Sequence, residues 1–277
     1  MKKTIIHISD LHFHRYPKNF SEWKSKRLLG AANTFFRRAG QFPIERAKKL
    51  VKQVCKMNWD HLVISGDLTQ LSLESEFLLA REILDPLLKE KSRITIIPGN
   101  HDRYVLQSFS NDLFKKYFGL FFGKTEVHVR EINADWVILG WDSTYSNGWL
   151  SASGAVRRST IIETEKIIRS FTKNKNFIIV NHYPLTFPEE WQFNHLHELL
   201  NLLPVKKWIL SFPQIRIYLH GHIHLNWIHS IQREPDRNLY LVNSAASSSI
   251  PTSGQRSSFH KILLEGNEID FKPIKIN

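Results

Sequence analysis

The chain reads as an α/β fold, and three observations predict it. Short apolar runs rich in β-formers recur along the sequence, segments of helical periodicity separate several of them, and five of the runs end in polar clusters. Strands alternating with helices build a sheet from crossover units. In such open sheets ligands collect beyond the carboxyl ends of the strands. Size permits this: 277 residues with 42% hydrophobic and 12% aromatic content suit a folded chain with a sizeable core, not a disordered one. No repeat, low-complexity tract or linker divides the sequence, so a single domain over 1–277 is expected, with a basic amphipathic segment at about 15–43.

The first strand, 4–9 "TIIHIS", runs into "DLHFH", placing His7, Asp10, His12 and His14 close together. Period-two alternation turns His7 away from Asp10, and His14 lies past the strand, so a structural role is the first expectation for both. Next, 26–40 "KRLLGAANTFFRRAG" sets Leu28, Leu29, Ala32, Phe35, Phe36 and Ala39 on one helical face and Lys26, Arg27, Arg37 and Arg38 on the other. Such a helix can lie in a membrane interface, meet an acyl chain, or pack on the domain as core. Gly30 weakens it slightly.

A helix is expected over 44–57, then a strand at 60–65 ending in "SGDLT" with Asp67. Phe77, Leu78, Arg81, Ile83 and Leu84 fit a helix over 74–90 better than a strand. The strand 93–98 ends in "PGNHD" with Asn100, His101 and Asp102. The aromatic run 115–123 "KKYFGLFFG" follows, then a strand at 136–140, a helix at 159–173 and a strand at 177–181 ending in "NHYP" with His182. After the apolar-rich 187–203 come strands at 215–219 and 239–243, the first ending in "HGHIH" with His220, His222 and His224. Apolar material beside such loops is where a substrate pocket is expected, so 115–123 and 187–203 are candidates for its walls. "SSSIPTSG" at 247–254 is a polar loop. The tail, 258–264 and 269–274, reads as an antiparallel pair turning at Gly266–Asn267. Gly66, Gly99 and Gly221 sit beside the polar clusters, where the backbone turns sharply out of a strand.

A formal charge of +12 and a pI near 9.7 favour anionic partners: phosphorylated substrates, acidic lipid or nucleic acid. With Cys55 alone no intrachain disulfide forms, and the apolar run after "MKK" is too short for a signal peptide. A cytoplasmic protein is expected, peripheral on the inner membrane face if the basic helix meets lipid.

Five polar clusters at five strand ends converge on one place, and their residue types specify chemistry. Imidazole, carboxylate and amide oxygen together suit Mn, Fe or Zn, and the lack of thiolates disfavours a structural zinc site. The ligands exceed what one ion needs. A carboxylate shared between two ions would support a bridging hydroxide and clamp a phosphoryl transition state.

"DLH", "GDLT", "GNHD", "NHYP" and "GHIH", in that order from about Thr4 to Asn243, resemble the calcineurin-like metallophosphoesterases. The resemblance implies a four-layer α/β/β/α sandwich with two divalent transition-metal ions at one edge, Mn first and Fe or Zn as alternatives. It implies that Asp10, His12 and His224 hold one ion, that Asn100, His182 and His222 hold the other, and that Asp67 bridges. It further implies His101 as the catalytic histidine, with Asp102 hydrogen-bonded behind it to set its tautomer. Many relatives carry an acidic residue where this chain has Gln70, a position outside the ligand set that bears on local support.

The motifs imply hydrolysis of a phosphodiester or pyrophosphate bond and leave the substrate open. The basic helix and the aromatic runs resemble in kind the UDP-2,3-diacylglucosamine pyrophosphatases of lipid A synthesis, which makes an acylated phosphoester the first specific expectation, with contact to an anionic membrane. A cyclic-nucleotide-type phosphodiesterase is the alternative. A nuclease stands behind both, since no added nucleic-acid-binding domain is visible. A non-catalytic scaffold is disfavoured by seven competent ligand positions. Nothing in the sequence addresses oligomeric state.

Overall fold

The computed structural model describes residues 2–17, 39–104, 111–123, 125–145, 151–172, 174–189, 198–233, 237–244, 246–250 and 258–276. The expected basic helix around 28–39, apart from Ala39, and 190–197 of the apolar-rich 187–203 therefore lie outside the described residues. In order, the elements are β1 (Lys3–Ile8), α1 (Ala39–Gln41), α2 (Ile44–Cys55), β2 (His61–Ile64), α3 (Glu74–Leu84), β3 (Ile94–Ile96), α4 (Leu113–Phe122), β4 (Val127–Glu131) and β5 (Trp136–Trp141). There follow α5 (Arg158–Ser170), β6 (Asn176–Val180), α6 (Leu202–Leu210), β7 (Ile215–His220), β8 (Trp227–Ile231), β9 (Leu239–Asn243), β10 (Ser258–Glu265) and β11 (Glu268–Lys275). The expected helix over 74–90 stops at Leu84 and tightens into a 3-10 turn at Asp85–Leu87, because Pro86 lacks the N–H that a continuing helix needs.

Two sheets form, ordered β11-β10-β1-β2-β3 and β4-β5-β6-β7-β9-β8. The motif-bearing strands are parallel within each sheet: β1, β2 and β3 in the first, β6 and β7 in the second. Antiparallel strands close every edge but that of β3, and β10 and β11 pair as the tail pattern predicts.

Side-chain alternation makes the layers. On β1, Ile5 faces the other sheet while Ile6 and Ile8 face outward; on β2, Val63 faces inward, Leu62 and Ile64 outward. On β5, Trp136 and Ile138 meet them from the second sheet, while Val137, Leu139 and Trp141 face the opposite way. The inter-sheet core thus joins Ile5, Val63, Ile138, Ile178, Val180 and Leu219. The outer face of the first sheet packs on α2, α3 and α4 through Leu50, Val54, Phe77, Ala80 and Phe118. That of the second packs on α5 and α6 through Ile168, Val205 and Ile209. The result is the α/β/β/α sandwich.

One expectation is met only in part. The run 115–123 is most of α4, whose Phe118 and Phe121, with Phe114 before them, are buried in the first outer core, while Lys115, Gly119, Phe122 and Gly123 line a cavity of about 130 Å³ together with Arg103 and Asp142. The phenylalanine spacing is helical, and Asp112 caps the helix by accepting from the Lys115 N–H at 3.2 Å.

Candidate metal centre

The carboxyl ends of β1, β2, β3, β6 and β7 meet at one edge of the sandwich, and loop hydrogen bonds tie them together. The Asp10 N–H donates to the Gly66 carbonyl at 3.1 Å, the His12 N–H to Asp67 at 3.0 Å, and the Gly221 N–H to His182 at 3.1 Å. Gly66 takes a φ of 104°, a conformation that L side chains rarely adopt. Gly221 serves differently: a Cβ there would lie 2.3 Å from Asp10 Oδ2, so only glycine lets the two loops approach.

All seven sequence-predicted ligands come together here in two groups that share a residue. His12 Nε2 lies 3.0 Å from His224 Nε2 and 3.6 Å from Asp67 Oδ2, and His224 Nε2 lies 3.5 Å from Asp10 Oδ1. On the other side, Asn100 Oδ1 lies 3.1 Å from His182 Nε2 and 2.9 Å from His222 Nδ1, and His182 Nε2 lies 3.4 Å from Asp67 Oδ2. Asp67 Oδ2 is common to both groups. Such separations match the edges of a coordination shell with bonds of about 2.1 Å. Imidazole nitrogens, carboxylate oxygens and an amide oxygen converging at these distances form the donor set of a cation site.

Neighbouring groups aim these atoms. The Ser65 carbonyl can only accept, so at 2.8 Å it fixes the proton of His182 on Nδ1 and leaves the Nε2 lone pair for the cluster. Asp67 Oδ1 accepts the His101 N–H at 2.8 Å, which reserves Oδ2. Asp10 accepts the His222 N–H at 3.0 Å. Burial alone would raise the Asp67 carboxyl, but the imidazoles of His182, His101 and His12 outweigh it and hold the group well below the carboxylate range. Burial would lower His182; the Asp67 carboxylate instead lifts it to about 9.

The backbone is strained at the same residues. Asp10, His12, Asp67, His222 and His224 all have positive φ, between 46° and 74°. Left-handed non-glycine residues cost on the order of 1–3 kcal/mol each and gather at functional sites.

The assignments outside the ligand set need one correction. Asp102 does not stand behind the His101 ring. Its buried carboxylate accepts from the N–H groups of Gly99 (2.9 Å), Leu68 (3.2 Å) and Thr69 (2.8 Å) and from the Thr69 hydroxyl (3.0 Å), clamping the β2 and β3 loops together. The adjacent 3-10 turn, Asn100–Arg103, points the Asp102 side chain back toward Gly99 while His101 projects away. His101 Nδ1 donates instead to the main-chain carbonyl of Gln70 at 2.6 Å, and Tyr104 stacks on its ring at 5.3 Å. Side-chain types do not reveal a main-chain partner, so no sequence signal points to it. His7 lies between the sheets, bonded to Ser65 Oγ (2.8 Å) and Ser244 Oγ (3.0 Å). His14 is half-buried outside both groups, and His220 is buried beneath them.

An α/β/β/α sandwich with clustered imidazoles and carboxylates at its strand ends defines a metal-dependent phosphoester hydrolase. The chain belongs to the calcineurin-like phosphoesterase family, whose model matches residues 3–226. It is 26% identical over 184 residues to a protein of Ruthia magnifica subsp. Calyptogena magnifica named as a probable cyclic nucleotide phosphodiesterase, covering 64% of this chain and 67% of that relative. A protein of the same name from Vesicomyosocius okutanii subsp. Calyptogena okutanii is 24% identical over 183 residues, with the same coverage. Among solved structures, a dimetal phosphatase from Danio rerio superposes with a TM-score of 0.60 at 11% identity, over 99% of each chain. A purple acid phosphatase from yellow lupin gives 0.58 at 11% identity, over 99% of this chain and 52% of that one. At these identities the superpositions speak for the fold.

Proposed function

We propose that the protein hydrolyses a phosphodiester bond at a two-ion centre, with Asp10, His12, His224 and Asp67 holding one ion and Asn100, His182, His222 and Asp67 the other. The observation that carries this reading is the position of Asp67 Oδ2, 3.6 Å from His12 Nε2 and 3.4 Å from His182 Nε2, within reach of both groups. Mixed nitrogen and oxygen donors without thiolate suit Mn, Fe or Zn. Two divalent ions, when bound, supply Lewis acidity at the phosphoryl oxygens and activate water for in-line attack. The chain's own part is to place them and to manage protons. With its Nδ1–H held by the Gln70 carbonyl, the His101 ring is oriented to stabilise a phosphoryl oxygen or to carry the proton for the leaving group.

For the substrate we favour a small diester of the cyclic-nucleotide type over an acylated pyrophosphate. Both curated relatives are named for that diester, and the acyl-groove expectation is weakened because Phe118 and Phe121 are core and the cavity beside α4 is only about 130 Å³. Its other main support, the stripe Leu28–Ala39, falls largely outside the described residues. Contact with an anionic membrane rests on that stripe and on the net charge of +12; among the described residues no helix is long and apolar enough to cross a membrane.

The test is turnover of 3′,5′-cyclic AMP, an aryl phosphodiester and UDP-2,3-diacylglucosamine by Mn-loaded protein, with metal content measured alongside. Asp67→Ala should lose both ions and all turnover, whereas Asn100→Ala should retain one ion. Full activity in Asp67→Ala would refute the shared-carboxylate reading. Preference for the acylated substrate would overturn the diester choice alone.

A further inference from the structure

We infer that Phe42 is a positioning residue for one of the two ion positions, a wall that holds the rings of His12 and His224. The inference rests on the two-ion reading proposed above. Phe42 is only 3% exposed, yet among the described residues it joins none of the apolar clusters of the core. Its described ring neighbours are imidazoles: His12 at 4.6 Å and 59°, His224 at 5.7 Å and 74°. Those two rings lie 5.0 Å apart, so the three close a triangle. A buried phenylalanine whose ring packs on two candidate ligands calls for an explanation at the site.

The chain holds this ring firmly. Phe42 sits at the bend between α1 and α2, and Pro43 behind it restricts its backbone to extended conformations. Beyond Pro43, Leu50 and Val54 anchor α2 to the first sheet. Before it, the Gln41 carbonyl accepts the Ile250 N–H at 2.7 Å, tying the bend to the loop that follows β9.

The need for such a wall differs between the two ion positions. His182 is oriented by a hydrogen bond from the ring nitrogen that faces away from the cluster, to the Ser65 carbonyl. Among the described residues the polar contacts of His224 run through Nε2, the atom that faces the cluster. What packs on its ring there is aromatic, Phe42 at 5.7 Å and His12 at 5.0 Å. A ligand ring free to turn loses the alignment of its lone pair, and outer supports of this kind typically govern about 10- to 100-fold in metal affinity. Phe42 therefore does for the His12–His224 position what a carbonyl does for His182.

The experiment is titration of chelator-stripped full-length protein with Co²⁺, followed by calorimetry and visible absorption. Wild type should show two binding events, assigned by their selective loss in His224→Ala and Asn100→Ala. Phe42→Ala should weaken the His224-dependent event by about 10- to 100-fold and leave the Asn100-dependent event unchanged. Phe42→Leu keeps apolar bulk for a case in which the alanine variant folds poorly, and it should weaken the same event in the same direction. Equal weakening of both events in Phe42→Leu, or wild-type affinity in both variants, would overturn the inference. If wild type itself takes up no Co²⁺, the two-ion reading fails, whatever Phe42 does.

Discussion

Replacing Asp102 by alanine removes a carboxylate that accepts from three main-chain N–H groups and the Thr69 hydroxyl. The hydroxyl has a second acceptor, the His101 carbonyl at 3.1 Å, so it is not orphaned. The N–H groups of Gly99, Leu68 and Thr69 are left in a buried loop junction, and each unsatisfied donor costs about 1–3 kcal/mol. Deleting a buried charge offsets part of this, because burial and the nearby Asp67 charge already push the Asp102 carboxyl up to about 6. The low end of the range follows, about 3 kcal/mol for three donors. Asp102→Asn keeps one acceptor oxygen, which can serve Gly99 and Leu68 and leave only the Thr69 N–H facing an amide, so about 1 kcal/mol is expected. Urea unfolding of the ion-free protein measures both, read from the midpoint at constant m-value. The pH dependence has a definite sign. A carboxyl raised in the folded state contributes stability below its ordinary value of 3.8 that is lost as pH rises through about 6, so the Asn variant should gain on wild type across that window. Asp102→Asn should also leave the His101 limb of the pH–rate profile in place. Wild-type stability together with a shifted limb would refute the clamp and return Asp102 to the role of partner to His101.

His101→Ala should retain both ions and lose about 10²- to 10⁴-fold in kcat, the usual worth of a positioned proton carrier; metal analysis beside steady-state rates checks it, and a parallel loss of metal would contradict it. In ion-free protein His182 is raised to about 9, above its ordinary 6.5, so the folded ring holds its second proton until pH rises through about 9. Ion uptake must displace that proton, so affinity should climb with pH up to about 9, and calorimetry at pH 7 in buffers of differing ionisation enthalpy should show protons released. Phe118→Ala removes a ring from the first outer core and should cost about 3–5 kcal/mol of stability without altering KM for a small diester. A raised KM with unchanged stability would restore 115–123 as a pocket wall.

Those experiments divide along the line between what side chains announce and what only the folded backbone provides. The strand ends are legible because a parallel strand buried on both faces is a continuous apolar run, and "LVISGD" or "FIIVNH" breaks it with residues that cannot be core. The edge strands of the second sheet lack that signature. β8 leaves Ile228, His229 and Ser230 exposed, and β4 carries charge at Arg130 and Glu131, so neither stood out. The aromatic run in α4 was visible but ambiguous, since buried core and substrate wall are written with the same residues. At the site itself the candidate ligands are side chains and could be read directly. The groups that aim them are the Ser65 and Gln70 carbonyls, which any residue supplies, and five left-handed turns that nothing in the local sequence demands. That asymmetry explains the one misplaced residue. Asp102 has the chemistry of a histidine partner and the right sequence distance, but the turn at Asn100–Arg103 sends its carboxylate into the loop junction. The carbonyl three residues beyond Asp67 then takes the place expected of it.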